Sequence, residues 1–155
     1  MAIRHDFDPE KLAGIKIARG AKREALEEVA EFVREAILSN SAEGKTSVAG
    51  GRWKRKITKD YWKNVKSEES SANYANMELT GDMLDALQTK VVSGKVRIEI
   101  AGAEEPKAEG NLLGSYGRAP DSSQAREFMP HRRGQQLSPD IVAGIKQILE
   151  RYEED

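Results

Sequence analysis

Cysteine is absent from this chain of 155 residues, and aromatic residues and long apolar runs are scarce. Without cysteine there is no disulfide framework, no thiolate chemistry and no zinc site of the usual kind. No apolar run approaches the roughly 18 residues of a membrane-spanning helix. Residues 1–7 also lack the apolar stretch of a signal peptide. We therefore expect a protein that is made and assembled in the cytoplasm and does not contact a membrane.

The composition indicates one domain with a modest core. Aromatic residues make up 6% and apolar residues 38% of the sequence, which is typical of a small core with large polar surfaces or long loops. A third of the residues are charged, yet the net charge is only −1, so composition favours neither nucleic acid nor a membrane as partner. The length fits a single domain over residues 1–155 that buries a real core.

Two amphipathic helices and a β-hairpin are predicted by periodicity. The first helix covers residues 21–39, with apolar residues three and four apart at Ala25, Val29, Phe32, Val33, Ala36 and Ile37. A second helix, 138–152, begins with Ser138 as N-cap and Pro139 at its first position. Between them, residues 89–92 and 95–101 alternate around a Ser-Gly turn, and a short helix capped by Thr80 precedes them. The predicted fold is α+β, a small antiparallel sheet flanked by an N-terminal and a C-terminal helix.

The rest of the chain reads as connecting segments. Residues 1–20 are predicted to form a short helical or irregular lead-in, in which Asp8 caps a helix that starts at Pro9. Residues 103–134 have many glycines and little periodicity, which predicts a long Gly-rich loop of the kind that is usually functional. The two histidines, His5 and His131, stand alone, and we expect both at the surface.

A basic segment, residues 45–66, breaks the even distribution of charge. It carries eight lysines and arginines against Asp60 alone, a net charge of 8 − 1 = +7. Trp53, Tyr61 and Trp62 are interleaved with these residues. Three interpretations remain open: a solvated loop anchored on the core by its aromatic residues, an arm that docks on an acidic neighbouring subunit, or a surface that binds nucleic acid through counterion release and stacking.

No catalytic, cofactor or metal constellation is recognisable in the sequence, so we expect a protein that is not an enzyme. Residues 44–46, Gly-Lys-Thr, match the end of a phosphate-binding loop. However, Ser39 stands where that motif needs its first glycine, and a helix rather than a strand precedes it. We therefore predict no nucleotide site there, and no cofactor.

Several elements in order resemble the tailed-phage virion-morphogenesis or tail-completion family of small neck proteins. The resemblance covers roughly residues 20–152 and includes Gly51-x-Trp53 and Leu79-Thr80-Gly81-x-Met83-Leu84 before the hairpin. It also includes Arg126-x-Phe128-Met129-Pro130 before a final helix that starts Ser138-Pro139-Asp140. The second and third of these elements are its most specific parts.

This resemblance implies a structural virion protein that forms a homo-oligomeric ring of six subunits at the head–tail junction. It implies other neck and tail proteins as partners, and a ring lumen in which the subunits can contact DNA. In such a ring the part of the basic segment around residues 54–66 would contact the acidic face of a neighbour's helix, for example Glu27, Glu28 and Glu31. The alternative is a nucleic-acid-binding module that uses residues 52–66.

Both interpretations depend on one set of contact candidates, all basic or aromatic. The candidates for contact with a subunit or with DNA are Arg52, Trp53, Lys54, Arg55, Lys56, Lys59, Trp62, Lys63, Arg126, Arg132 and Arg133.

Overall fold

A computed structural model describes residues 3–51, 53, 84–113 and 125–154. Within these ranges the predicted α+β class is confirmed, because helices surround a three-stranded antiparallel sheet. The strands are β1 (Ile3–Phe7), β2 (Gln88–Val92) and β3 (Lys95–Ile100). The helices are α1 (Pro9–Ala13), α2 (Lys22–Ala42), α3 (Glu105–Leu113) and α4 (Pro139–Glu150), and a 3-10 turn, Gly102–Glu104, precedes α3.

The predicted hairpin is confirmed within one residue at each outer end. β3 is the central strand, paired antiparallel with β2 on one side and with β1 on the other. Ser93 and Gly94 have φ angles of 51° and 77°, the left-handed pair that a type I′ turn requires. Along β3, Val96, Ile98 and Ile100 are buried on the inner face while Lys95, Arg97 and Glu99 lie on the outer face.

The lead-in prediction for residues 1–20 is wrong at its beginning, where β1 forms instead. Asp8 does cap α1 as predicted, since its Oδ1 accepts a hydrogen bond from the Glu10 N–H at 3.0 Å. Residues 3–7 become a strand because they pair with β3, whose residues are 89 to 97 positions away. His5 occupies an inner position, opposite Ile98, so it interrupts the apolar alternation that would have indicated a strand.

The prediction of a continuous loop over residues 103–134 is also wrong, because α3 lies within it. Pro106 falls in the first turn, where its missing N–H costs nothing, and Gly110 is buried within the helix. Ala108 and Leu112 are its only apolar residues that are fully buried, so the helical stripe is too thin to detect. The 3-10 turn, which contains Ala103, precedes the helix. Residues 114–124 lie outside the described residues.

Helix α2 lies between the sheet and α4 and forms the centre of the core. Its predicted stripe is confirmed: Ala25, Val29, Val33 and Ile37 are buried, and Phe32 and Ala36 pack partly buried against them. Thr89 Oγ1 donates a 2.6 Å hydrogen bond to the Ala30 carbonyl, which ties β2 to the helix. The C-terminal helix buries Ile141, Ile145, Ile148 and Leu149 as predicted, although the Ser138 side chain makes no capping hydrogen bond.

Among the described residues, no helix combines the length and the apolar character needed to cross a membrane. The predicted start of a short helix at Thr80 falls outside the described ranges. Leu84 and Asp85 are helical, and Leu84 and Leu87 are buried as that prediction required.

Candidate assembly site

The contact candidates divide into two groups. Arg52, Lys54, Arg55, Lys56, Lys59, Trp62 and Lys63 lie outside the described residues. Trp53, Arg126, Arg132 and Arg133 are described, and their surroundings can be examined. Arg132 and Arg133 are exposed, whereas Trp53 and Arg126 are half-buried.

Trp53 and Arg126 meet at one point, which we call the junction, formed by Trp53, Asn111 and Arg126. Trp53 packs partly buried against the core and forms an antiparallel bridge with Arg126. The Arg126 N–H donates to the Asn111 carbonyl at 2.7 Å, and Arg126 Nη1 donates to Asn111 Oδ1 at 3.2 Å. Asn111 is 6% exposed, and its amide also donates to the Lys107 carbonyl at 2.9 Å. The junction thus joins a residue of the basic segment to both sides of residues 114–124.

A second set of bonds attaches residues 46–49, at the start of the basic segment, to the chain before α4. Thr46 Oγ1 donates to the Glu127 carbonyl at 2.6 Å and accepts from the Val48 N–H at 3.1 Å. Two backbone bonds continue the attachment, from Ala49 N–H to the Gln136 carbonyl and from Ser138 N–H to the Ser47 carbonyl, each at 2.9 Å. The Gly-Lys-Thr sequence of residues 44–46 follows the end of α2 at Ala42, and its threonine has a structural role.

Gly51 closes a turn over residues 48–51, near the start of the basic segment. Its N–H donates to the Val48 carbonyl at 2.9 Å. A Cβ atom on Gly51 would lie 2.6 Å from Thr46 Oγ1 and 2.8 Å from the Val48 Cβ, closer than real Cβ contacts. Glycine at this position of the Gly51-x-Trp53 element is thus required by the packing of the turn.

Glu127 is the buried carboxylate of this region. The residue is 4% exposed, and Gln135 Nε2 donates to its Oε2 at 2.7 Å. Arg132 Nη2 lies 3.8 Å from the same oxygen, so a cation at the surface partly offsets the buried charge. Gln135 Oε1 in turn accepts from the N–H groups of His131 and Arg132, both at 2.9 Å. These bonds shape the turn that carries Arg132 and Arg133.

The histidines are not simply at the surface, contrary to the prediction, because both are half-buried. Both ring nitrogens of His131 are buried and make no hydrogen bond of good geometry. Burial lowers the pKa of His131, although the nearby Met129 carbonyl opposes that shift. His5 lies on the inner face of β1, stacked on Phe7, and burial lowers its pKa as well, against the opposing charge of Asp6.

The acidic face of α2 is partly occupied by partners from the same chain. Glu27 Oε1 accepts from Arg23 Nε at 3.0 Å, and Glu28 Oε2 accepts from Arg151 Nη2 at 2.6 Å. Glu31 is exposed and has no ion-pair partner among the described residues. Of the three carboxylates expected to face a neighbouring subunit, Glu31 is therefore the most accessible.

Asn111, Glu127 and Thr46 are the residues of this site that sequence reasoning missed. Each is a common polar residue in a stretch without periodicity, so no sequence signal marks it. By contrast, the sequence does mark the Arg-x-Phe-Met-Pro element, and in the structure Phe128, Met129 and Pro130 are buried.

The described residues hold no group of three histidine, aspartate or glutamate side chains placed to bind a metal ion. The role that this site can have is structural, because its hydrogen bonds attach the start of the basic segment and both ends of residues 114–124 to the core. No family model, curated protein or solved structure matches this chain.

Proposed function

We propose that the chain is a structural subunit of a tailed-phage virion, a neck or tail-completion protein that assembles into a ring. The observation that carries the proposal is the junction. Trp53 of the basic segment, Arg126 and Asn111 are bonded together on the core, so the ends of two long segments are held in fixed positions. A subunit that contacts its neighbours through such segments needs their bases positioned in this way, since an unanchored segment pays a larger ordering cost on binding.

The distribution of charge along the chain supports the same proposal. The basic segment carries +7, and the exposed face of α2 offers Glu24, Glu27, Glu31 and Glu35 on successive turns. Opposite charges on two surfaces of one chain favour head-to-tail contact between copies, which closes into a ring when the rotation permits. Glu31 is the central carboxylate of this contact.

The test is the assembly state of the purified full-length chain, measured by negative-stain microscopy and sedimentation velocity. We expect rings, and we expect Arg52→Glu, Lys54→Glu and Lys56→Glu together to abolish them at moderate salt. Lys11→Glu, Lys16→Glu and Lys146→Glu together are the matched control, because they make the same charge change at exposed residues elsewhere. A chain that stays monomeric at high concentration, or rings that survive the first variant, would contradict the proposal.

Nucleic-acid binding by residues 52–66 stays a prediction with a separate measurement. It requires affinity for bare DNA that falls steeply with salt, since each neutralised phosphate releases counterions. Trp53 is less suited to stack on bases than the sequence suggested, because it packs against the core. Salt-dependent DNA binding without rings would replace the first proposal with this one.

A further inference from the structure

The outer edge of β1 has no neighbouring strand within the described part of the chain, because the sheet order is β1-β3-β2. The hydrogen-bonding pattern of the β2–β3 hairpin determines which backbone groups of β1 point outward. Val92 and Lys95 flank a two-residue type I′ turn, so this pair exchanges both backbone hydrogen bonds, and every second pair does the same. The residues of β3 that bond to β2 are therefore Lys95, Arg97 and Glu99, and those that bond to β1 are Val96, Ile98 and Ile100.

The partners of that second set on β1 are Ile3, His5 and Phe7. Arg4 and Asp6 lie between them, so their N–H and C=O groups point away from the sheet. Neither backbone has a hydrogen bond on that side from the described residues. Within the described residues, the edge of β1 is therefore a row of unpaired donors and acceptors, which is a template for another strand.

The edge is also accessible. A cleft of about 470 Å³ is lined by residues 5–8 together with α1 and residues 135–137. The cleft touches His5 and Phe7, on the inner face, and Asp6, on the outer face, which places it beside the edge of this half of β1. Arg4 and Asp6 are exposed on the outer face of the sheet.

Two rows of side chains cross that outer face, and both end at β1. The rows are Gln88–Glu99–Arg4 and Lys90–Arg97–Asp6. Arg97 Nε donates to Asp6 Oδ1 at 2.8 Å, and Lys90 Nζ lies 2.9 Å from Glu99 Oε1, which links the rows. One row thus ends at the edge with a cation and the other with a carboxylate.

We propose that β1 pairs with β1 of a second copy of this chain, antiparallel, about a two-fold axis at His5. Arg4 then lies directly opposite Asp6 of the second copy, and Asp6 opposite its Arg4. Both of these pairs use the outward backbone groups, so they are the hydrogen-bonded pairs of the new ladder. Across the joint the row reads Glu99, Arg4, Asp6, Arg97, with alternating sign, and directly opposed unlike charges stabilise a sheet.

The same register is disfavoured at the other edge of the sheet. On β2 the outward backbone groups belong to Thr89 and Val91, so the equivalent register has its two-fold axis at Lys90. Lys90 of one copy would then face Lys90 of the other, and like charges in that position are destabilising. On the inner face of the β1 pair, by contrast, Ile3 opposes Phe7, an aliphatic–aromatic contact.

This contact is isologous, so it closes with two copies and cannot build a ring of more than two subunits. It does not depend on the proposed function. If the chain is otherwise monomeric, the contact makes a dimer, and if the chain forms a ring, the contact joins two rings. In either case it doubles the mass of the assembly.

The first test removes one backbone donor. Arg4→Pro deletes an N–H that has no partner among the described residues, and proline is tolerated on strand edges where the N–H faces solvent. We expect sedimentation equilibrium to give an assembly of half the wild-type mass, with the far-ultraviolet circular dichroism spectrum unchanged. An Arg4→Pro variant that is folded and has the wild-type mass would overturn the proposal.

The second test exchanges charges between copies. Arg4→Glu and Asp6→Lys each place like charges opposite one another, so each variant alone should associate about tenfold to hundredfold more weakly. An equimolar mixture should recover the wild-type mass, because Glu and Lys then face each other and the remaining Asp6 faces the remaining Arg4. Lys90→Glu is the matched control for Arg4→Glu, with the same charge change at the opposite edge, and should keep the wild-type mass. A mixture that stays at half mass would overturn the pairing.

Discussion

Replacing Gly144 by alanine tests the closest approach between α2 and α4. In an ordinary helix interior this change stabilises by about 1 kcal/mol, because glycine loses more backbone entropy on folding. Here the added Cβ would lie 2.1 Å from Phe32 Cζ and 2.6 Å from Phe32 Cε2. The ring must therefore leave its position, or the two helices must separate.

The change in the free energy of unfolding is the sum of two opposing effects. Overpacking of a fitted contact costs about 1–3 kcal/mol, and the helix gains about 1 kcal/mol. We expect Gly144→Ala to lower the free energy of unfolding by about 1 kcal/mol in the wild-type chain. In a Phe32→Ala background the obstruction is gone, so the same change should raise it by about 1 kcal/mol, giving a coupling energy of about 2 kcal/mol.

Urea unfolding followed by circular dichroism measures each corner of this cycle, provided that the slope m is unchanged among the variants. The matched control is Ala143→Gly, at the exposed neighbouring position of α4. It should cost about 1 kcal/mol in both backgrounds, because nothing packs on that side chain. If Gly144→Ala had the same effect with and without the Phe32 ring, the reasoning from the contact would be refuted.

Three further predictions concern other parts of the structure. Gly51→Ala should lower the free energy of unfolding by about 1–3 kcal/mol, because the turn over residues 48–51 must open. Thr89→Val keeps the side-chain shape and removes the hydrogen bond to α2, so urea unfolding should show a loss of about 1 kcal/mol. Because burial lowers the pKa of His5 and of His131 from 6.5, the folded state binds fewer protons than the unfolded state, and stability should fall as the pH drops below about 6.5. The double variant with glutamine at both histidines should lose that slope between pH 7 and pH 5, and an unchanged slope would contradict the assignment.

The elements that sequence predicted correctly are those whose evidence is local. The stripe of α2, the alternation of β3 and the Pro139 start of α4 each lie within one stretch of chain, so periodicity and capping rules are sufficient. The hairpin turn belongs to the same class, since Ser93 and Gly94 need only each other to reverse the chain.

The elements that sequence missed depend on distant partners. β1 is a strand because β3 offers a free edge, and its own pattern is broken by His5. α3 presents a thin apolar stripe with a proline and a glycine, and it is stabilised by what packs on it rather than by its propensities. The junction could not be predicted from the sequence, because Asn111 matters only through its hydrogen bond with Arg126, which lies on the other side of residues 114–124.

The junction also changes what the resemblance to neck proteins indicates. Arg126 was a candidate for contact with a neighbour, yet it is bonded to Asn111 inside the same chain. Phe128 and Met129, from the same element, are fully buried. This part of the resemblance therefore reports on how the scaffold is anchored, since a pattern of buried residues constrains packing and says little about contacts. Arg132 and Arg133, two and three positions after Pro130 and exposed, are the residues of that region that can reach a partner.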